Sequence, residues 1–359
     1  MLGNIGQELT DSQAMALALH AARCGQRGAN PLVGAVVLSP ENRVLSVGWH
    51  RGAGTPHAEA DALARAHQAG TDLRGARMLV TLEPCNHTGR TGPCSHAVAE
   101  AGIRELIYAY ADTTAEASGG ADYLRSRGVQ VSHGLLEQEA YELNARWFAA
   151  AGRRPFITAK IASSLDGFIA AADGSSQWIT GPEARADGHT LRARVDAILV
   201  GTGTVKADNP QLTARIDGQL APRQPLRAVM GHTLPPHSHL AAETLAGKAL
   251  HLATRDPRIA AAELYRRGVR HLMIEGGPTV LSAFLAVNLV DELIWYRAPL
   301  LLGAGRAAVT DLGVDTLSQA HHWQLDDLGL QPALRQLGAD TATHLLLADQ
   351  QGTPAPSER

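Results

Sequence analysis

The sequence predicts an α/β protein built from two consecutive domains. Short apolar runs with strand character alternate with stretches of helical period along the chain. The alternation pauses once, at AAAGRRP, where Gly152, two arginines and Pro155 close one series before FITAKIA opens another. At 359 residues the chain is long enough to bury a core in each half. The expected division is 1–152 and 153–349, with the tail QQGTPAPSER, 350–359, expected to be disordered.

In chain order, Thr10 and Gln13 have capping-box spacing and open a helix with Met15, Ala18, Leu19 and Ala22 on one face, stopped by Gly25 and Gly28. LVGAVVLS and RVLSVGW are strands joined by the turn residues Pro40, Glu41 and Asn42. A helix follows from His57 to Ala69. MLVTL is a strand running into Glu83-Pro84-Cys85, CSHAVAEAG a short helix, ELIYAY a strand, YLRSRG the centre of a helix and VQVSH a strand. A last helix covers Leu135 to Ala150. This order implies an α/β sandwich on a largely parallel sheet. Past the linker, FITAKIA, VDAILVG, RAVMG, ALHLAT, HLMIEGG, DELIWYRAP and THLLLA read as strands separated by helices or loops. No fixed-period repeat is visible.

Composition narrows the function. Hydrophobic residues at 45% and charged residues at 19% are ordinary for a globular protein, and the net charge of −3 shows no basic excess of the kind a nucleic-acid binder carries. Three cysteines do not make a disulfide framework. Cys24, at the end of the first helix, reads as a small buried apolar residue. The opening MLGNIGQELTDSQ lacks the basic and apolar regions of a signal peptide, and no uncharged apolar run reaches the roughly 18 residues of a membrane span. A soluble cytoplasmic protein is expected, with no membrane and no nucleic-acid partner.

Two stretches carry chemistry in the first half: PHAEADAL, with His57 and Glu59, and TLEPCNHTGRTGPCSHA, with Cys85 and Cys94. A catalytic zinc takes three protein ligands and keeps one position open. His57, Cys85 and Cys94 supply three, and a Glu two residues past the His matches the proton carrier of zinc-dependent nucleobase deaminases. Cys94 at a helix start and Cys85 after a strand end and Pro84 suit thiolate ligands. Zinc makes hydroxide available at neutral pH. Hydrolysis at a ring carbon bearing an exocyclic amine then follows, with Glu59 ferrying the proton to the departing ammonia. The eight residues between the cysteines, NHTGRTGP, are more than a nucleoside deaminase needs. Their His87, Arg90, glycines and threonines would suit an anionic substrate group beside the metal.

NPLVGAVV, HAEADAL and TLEPCNHTGRTGPC resemble the deaminase half of the bifunctional pyrimidine deaminase/reductase family of riboflavin biosynthesis, RibD, over nearly all of residues 10 to 150. The resemblance implies a cytidine-deaminase-like α/β/α sandwich. It also implies that Asn30, His50, His87 and Arg90 hold a phosphoribosylaminopyrimidine while His57, Cys85 and Cys94 hold one zinc. Gly92 stands where the family more often has a second proline, a change expected to be harmless.

In the second half, TAKIASSLDG with GSSQWITG, VDAILVGTGTVKADNPQLTAR and HLMIEGGPTVLSAF look chemical, the last as a strand feeding a glycine-rich helix start suited to phosphate. Gly201-Thr202-Gly203 lacks the third glycine of a dinucleotide fingerprint, and Lys206 completes no P-loop. Trp178 alone would read as core and Arg192 alone as a solvated helix residue. In this order, however, the stretches resemble the reductase half of the same family, which implies a dihydrofolate-reductase-like α/β domain using NADPH to reduce a ribosyl group to ribityl. By matching motif, Ala162, Trp178, Thr204 and Asp208 would line the NADPH site, with the segment from Gly277, Pro278 and Thr279 to Ala283 on its phosphates. Ser176, Arg192, Leu212, Arg215 and Glu275 would hold the substrate. Lys160, in an intact K-x-x-x-S-L-D-G pattern, would face the same cleft. Lys160, Asp208 and Glu275 are candidates to polarise an imine formed by opening of the ribosylamine. After RAVM the family usually carries an Asp and a small polar residue where Gly231 and His232 stand here, which leaves a cofactor contact at His232 open.

The resemblance also implies a homodimer or homotetramer contacting through the second domain. Two alternatives remain at this level. One is a zinc deaminase acting on another nucleobase or on tRNA, with a non-catalytic second domain. The other is a structural zinc closed by a fourth ligand such as His87.

Overall fold

A computed structural model of the protein describes residues 5–87, 92–112, 119–327 and 332–348. Arg90 and the tail 350–359 lie outside the described residues. The chain divides into two compact units that meet in sequence between Gly152 and Arg153.

The first unit runs α1 (Asp11–Ala22), β1 (Gly34–Leu38), β2 (Val44–Trp49), α2 (Ala58–Gln68), β3 (Arg77–Leu82), α3 (Cys94–Glu100), β4 (Glu105–Tyr110), α4 (Gly120–Ser126), β5 (Gln130–His133) and α5 (Glu137–Ala150). The capping box forms as its spacing suggests: Thr10 Oγ1 accepts from the Gln13 N–H, and Gln13 Oε1 accepts from the Thr10 N–H. The sheet order is β2-β1-β3-β4-β5. β1 runs antiparallel to both its neighbours, while β3, β4 and β5 are parallel. The direction of β1 departs from the expected parallel series, because the short turn after Leu38 folds β2 straight back along it. Alternation along the strands feeds two cores. Val36 and Leu38 pack with Met15, Ala18 and Leu143 under α1 and α5, whereas Ala35 and Val37 pack with Ala62, Val98 and Leu124 under α2, α3 and α4. Cys24, expected to be buried, is only part-buried, its Sγ directed at the His20 carbonyl.

The second unit runs β6 (Phe156–Ser164), β7 (Phe168–Ala171), α6 (Pro182–Arg194), β8 (Ala197–Gly201), α7 (Thr202–Asp208), β9 (Arg215–Ile216), β10 (Gln219–Leu220), β11 (Leu226–Met230), α8 (His239–Leu245), β12 (Ala249–Leu252), α9 (Pro257–Arg266), β13 (His271–Ile274), α10 (Pro278–Ala286), β14 (Glu292–Ala298), β15 (Gly305–Ala307), β16 (Trp323–Leu325), β17 (Leu334–Leu337) and β18 (Asp340–Leu347). Six strands, in the order β12-β11-β8-β13-β6-β14, are parallel. β18 then pairs antiparallel with β14 and, on its other edge, with β16 and β17. Ile157, Ala159 and Ile161 of β6 enter a core with α9 and α10, while Ile198, Val200 and Tyr296 pack with α6, α7 and α8. On β6 this alternation leaves Lys160 and Ala162 on the α6 side. Late-chain β13 lies between β8 and β6, so the loops leaving β8 and β13 emerge side by side at the carboxyl ends of the strands, where open α/β sheets take ligands.

Candidate active sites

In the first unit, three elements bring three donors to one point. His57 is the N-cap of α2, Cys85 follows β3 and Pro84, and Cys94 is the first residue of α3. His57 Nδ1 lies 3.5 Å from Cys85 Sγ and 3.4 Å from Cys94 Sγ, and the three donor atoms sit within 4.8 Å of one another. Tetrahedral zinc bonds of about 2.0–2.3 Å would separate an imidazole nitrogen from a thiolate sulfur by about 3.5 Å, so the cluster fits that ion. The electrostatics agree. Both cysteines are free. The hydrogen bond with Cys94, together with His57, pulls the Cys85 thiol below its usual range, while facing Cys85 and being buried push Cys94 up. A divalent cation is what would let both sulfurs be thiolates.

Glu59 points into the same place from the first turn of α2. It is 3% exposed, and burial pushes its carboxyl up to about 7. His50, also 3% exposed, sets its ring edge-on to His57. Its Nδ1–H donates to the Pro56 carbonyl (2.9 Å), which leaves Nε2 to accept from Asn30 Nδ2 (2.9 Å). Burial lowers the His50 pKa, in keeping with a neutral ring. His57, Glu59, Cys85, Cys94, His50 and Asn30 therefore form one cluster. His87 is exposed at the start of the loop between the cysteines. A side chain at Gly92 would meet open space.

Close backbone approaches hold these elements. A Cβ on Gly48 would come within 2.4 Å of the Ala58 carbonyl oxygen and 2.3 Å of the Ala62 nitrogen, so β2 touches α2 there. A Cβ on Gly120 would sit 1.8 Å from the Pro84 carbonyl oxygen, which seats α4 against the Cys85 turn. Asp61, which sequence reasoning missed, accepts from the Trp49 N–H, Arg51 and Arg65, tying the end of β2 to α2. Its only signal was the (i, i+4) spacing to Arg65.

In the second unit, Glu275 follows β13 and receives two bonds from Arg192 of α6 (Nε to Oε2 and Nη2 to Oε1, both 2.7 Å) and one from Lys160 of β6 (3.3 Å). Burial by itself would raise this carboxyl, but Arg192 and Lys160 hold it down to about 2. Arg192 Nη1 also donates to the Thr213 carbonyl (3.0 Å), which His189 Nδ1 approaches at 3.1 Å. A backbone acceptor leaves no residue-type signal, and sequence reasoning did not find it. The preceding Leu212 is buried with φ 53°, a left-handed backbone uncommon for a branched residue.

Thr204 and Gly277 meet as the motifs suggested: Thr204 Oγ1 accepts from the Gly277 N–H (2.9 Å). Gly277 caps α10 without a side-chain bond, Pro278 is buried at its first position and Thr279 is exposed. Amide groups there remain for an anion. A Cβ on Gly201 would meet Val280 at 2.7 Å, so α7 and α10 start against each other. This cradle fits a dinucleotide phosphate. Ala162 shares the β6 face with Lys160. The other expected residues are more scattered. Trp178 is 69% exposed under the Arg185 guanidinium, rather than core. Ser176 is part-buried, Asp208 is exposed at the far end of α7 from Thr204, and Arg215 donates to the Gly218 carbonyl in the β9–β10 hairpin. Gly231 adopts φ 136°, and a Cβ there would strike the Thr202 side chain at 2.7 Å, while His232 is exposed. The acidic residue usual in the family would not fit this backbone unchanged.

Residues 9–110 match the cytidine and deoxycytidylate deaminase zinc-binding region, and residues 155–329 match the RibD C-terminal domain. The riboflavin biosynthesis protein RibD of Mycobacterium tuberculosis is 42% identical over 331 residues, covering 90% of this chain and 96% of that protein. RibD of Escherichia coli is 36% identical, covering 94% of this chain and all of that protein. Among solved structures, Acinetobacter baumannii RibD superposes with a TM-score of 0.71 at 32% identity, covering 94% of this chain and 97% of that one. A Thermotoga maritima diaminohydroxyphosphoribosylaminopyrimidine deaminase/5-amino-6-(5-phosphoribosylamino)uracil reductase gives 0.70 at 28% identity, covering 94% and 98%. With a deaminase zinc region and a RibD C-terminal domain in sequence, and with relatives this similar along nearly its whole length, the chain belongs to the RibD family of riboflavin biosynthesis proteins.

Proposed function

We propose that the chain catalyses two consecutive steps of riboflavin biosynthesis. The first unit deaminates diaminohydroxyphosphoribosylaminopyrimidine, and the second reduces the ribosyl side chain of the product to ribityl with NADPH. The observation that carries this reading is the convergence of His57, Cys85 and Cys94 beside a buried Glu59, in a chain that continues into a RibD C-terminal domain. That continuation disfavours a tRNA or other nucleobase deaminase with a non-catalytic partner domain.

His57, Cys85 and Cys94 hold zinc, which supplies Lewis acidity toward water at neutral pH. Glu59, poised near neutrality by burial, takes the proton of the attacking water at its carboxylate and hands it to the exocyclic amine, which leaves as ammonia. Asn30 and His50 orient the pyrimidine, each fixed by the bond between them. The family resemblance assigns His87 and Arg90 to the substrate phosphate.

In the second unit NADPH supplies hydride to the ribosyl carbon. Gly277, Pro278 and Thr279 seat its phosphates at the start of α10, and Ala162, Trp178, Thr204 and Asp208 line the rest of its site. Ser176, Arg192, Leu212, Arg215 and Glu275 hold the substrate with Lys160. The ion cluster keeps Glu275 ionised and holds it against Lys160, as a polarising pair beside an imine requires. Asp208, exposed at the end of α7, is the weaker candidate. The same resemblance supports a homo-oligomer contacting through the second unit and a cytoplasmic location. Among the described residues no helix is long and apolar enough to cross a membrane.

The test supplies zinc-loaded protein with the diaminopyrimidine substrate, follows ammonia, then adds NADPH and follows its absorbance. Ammonia release and then NADPH oxidation are expected. Ammonia without oxidation would confine the activity to the first unit, and no ammonia would overturn the reading of the zinc site.

A further inference from the structure

A buried asparagine far from the motifs holds the loop that carries Asn30. Asn144, 3% exposed on α5, accepts from the Leu32 N–H (2.8 Å) and donates to the Leu32 carbonyl (2.9 Å) across 112 residues of sequence. One amide side chain thus satisfies both backbone groups of a residue that is itself 2% exposed, as a neighbouring strand would. One turn further along α5, Trp147 Nε1 donates to the Ala29 carbonyl (3.2 Å). These contacts clamp the chain on both sides of Asn30, whose side chain bonds His50.

We infer that Asn144, assisted by Trp147, is a positioning residue for the pyrimidine subsite: it sets where the Asn30 amide meets the substrate and His50. This rests on the proposed assignment of Asn30 to substrate. The zinc ligands and Glu59 are held by α2, by the turn after β3 and by α3 rather than by α5. Loss of the clamp therefore weakens substrate binding and leaves the chemical step in place. A merely structural role would behave differently, since partial unfolding lowers the active fraction and hence the apparent kcat while KM stays constant.

Ammonia release is measured on wild type, Asn144→Leu and Trp147→Phe, with zinc content and with NADPH oxidation on the already deaminated pyrimidine as controls in the same chain. Asn144→Leu, which deletes two hydrogen bonds, is expected to raise KM for the diaminopyrimidine about tenfold, and Trp147→Phe, which deletes one and keeps an aromatic ring, about threefold. In both, kcat, zinc content and reductase rate stay within about twofold of wild type. If Asn144→Leu fails to fold, the Trp147→Phe result decides. Unchanged KM, or a fall in kcat at constant KM, would overturn the inference while leaving the proposed function intact. A wild type that releases no ammonia would instead remove the proposed function, and this inference with it.

Discussion

Glu59 and Glu275 are both withdrawn from water, yet their surroundings drive them in opposite directions. For Glu59 burial outweighs the opposing pull of His57 and pushes the carboxyl up to about 7, where a group that accepts and returns a proton works best. Glu275 meets Arg192 and Lys160 and stays ionised down to about 2, which suits a group that holds charge and does not exchange it. Glu59→Gln keeps the size and burial of the side chain and removes the proton carrier. It should retain one zinc per chain by metal analysis and lose ammonia release by about a hundredfold or more. Normal turnover would take Glu59 out of the mechanism. For Glu275 the native state gives up its proton more readily than the unfolded chain, whose glutamates titrate at about 4.3. Its charge therefore stabilises the fold above that pH, and the contribution fades as pH falls towards 2. Glu275→Gln strands two cations and should cost about 3 kcal/mol at pH 7 by urea unfolding. The gap to wild type should narrow at pH 3, and an equal gap at both pH values would count against the ion cluster.

At the level of elements, the zinc site depends on how closely β2 lies against α2, and Gly48 sets that distance. A methyl group there must push away backbone, not a flexible side chain, so Gly48→Ala should cost about 1–3 kcal/mol and shift the helix that carries His57 and Glu59. Chelator competition should show weaker zinc retention than in wild type. Unchanged stability and retention would mean that α2 is placed by something else. The elements near this site were legible in the sequence because each has a strong local cause: a capping box at Thr10, a continuous apolar run in GAVVL, a Pro84 turn, a thiol at a helix start. The seven apolar runs of the second half likewise form strands, being buried and rich in branched residues. β7, β15, β16 and β17 were not legible. Gly305-Arg306-Ala307 is exposed throughout and becomes a strand through pairing with β7 alone. The short turn at Pro40, Glu41 and Asn42 made the antiparallel pairing of β1 with β2 legible, but the direction of β1 against β3 was not, since a period of two is the same in parallel and antiparallel sheets. In the site, His57, Cys85, Cys94 and Glu59 announce themselves by residue type at fixed spacing. Asn144 and the Thr213 carbonyl do not, because their partners lie 112 and 21 residues away and neither belongs to a local pattern.

For the molecule as a whole, the decisive fact is that each candidate site is assembled from residues of one unit, with its own cores and its own sheet. The zinc cluster draws on nothing past Gly152 among its described contacts, and the Lys160–Glu275–Arg192 cluster on nothing before it. Damage confined to one site should therefore leave the other working. Glu59→Gln protein should oxidise NADPH at about the wild-type rate when given the deaminated pyrimidine, and Glu275→Gln protein should release ammonia normally from the diaminopyrimidine. Neither alone should couple NADPH oxidation to the diaminopyrimidine. Mixed in equal amounts they should recover it, after a lag while the intermediate accumulates, and the lag should shorten as the Glu275→Gln protein is increased. A mixture that stays silent while each protein retains its own half-reaction would show that the intermediate does not pass through solution between chains. Loss of both half-reactions from either single variant would show instead that the two units do not act independently.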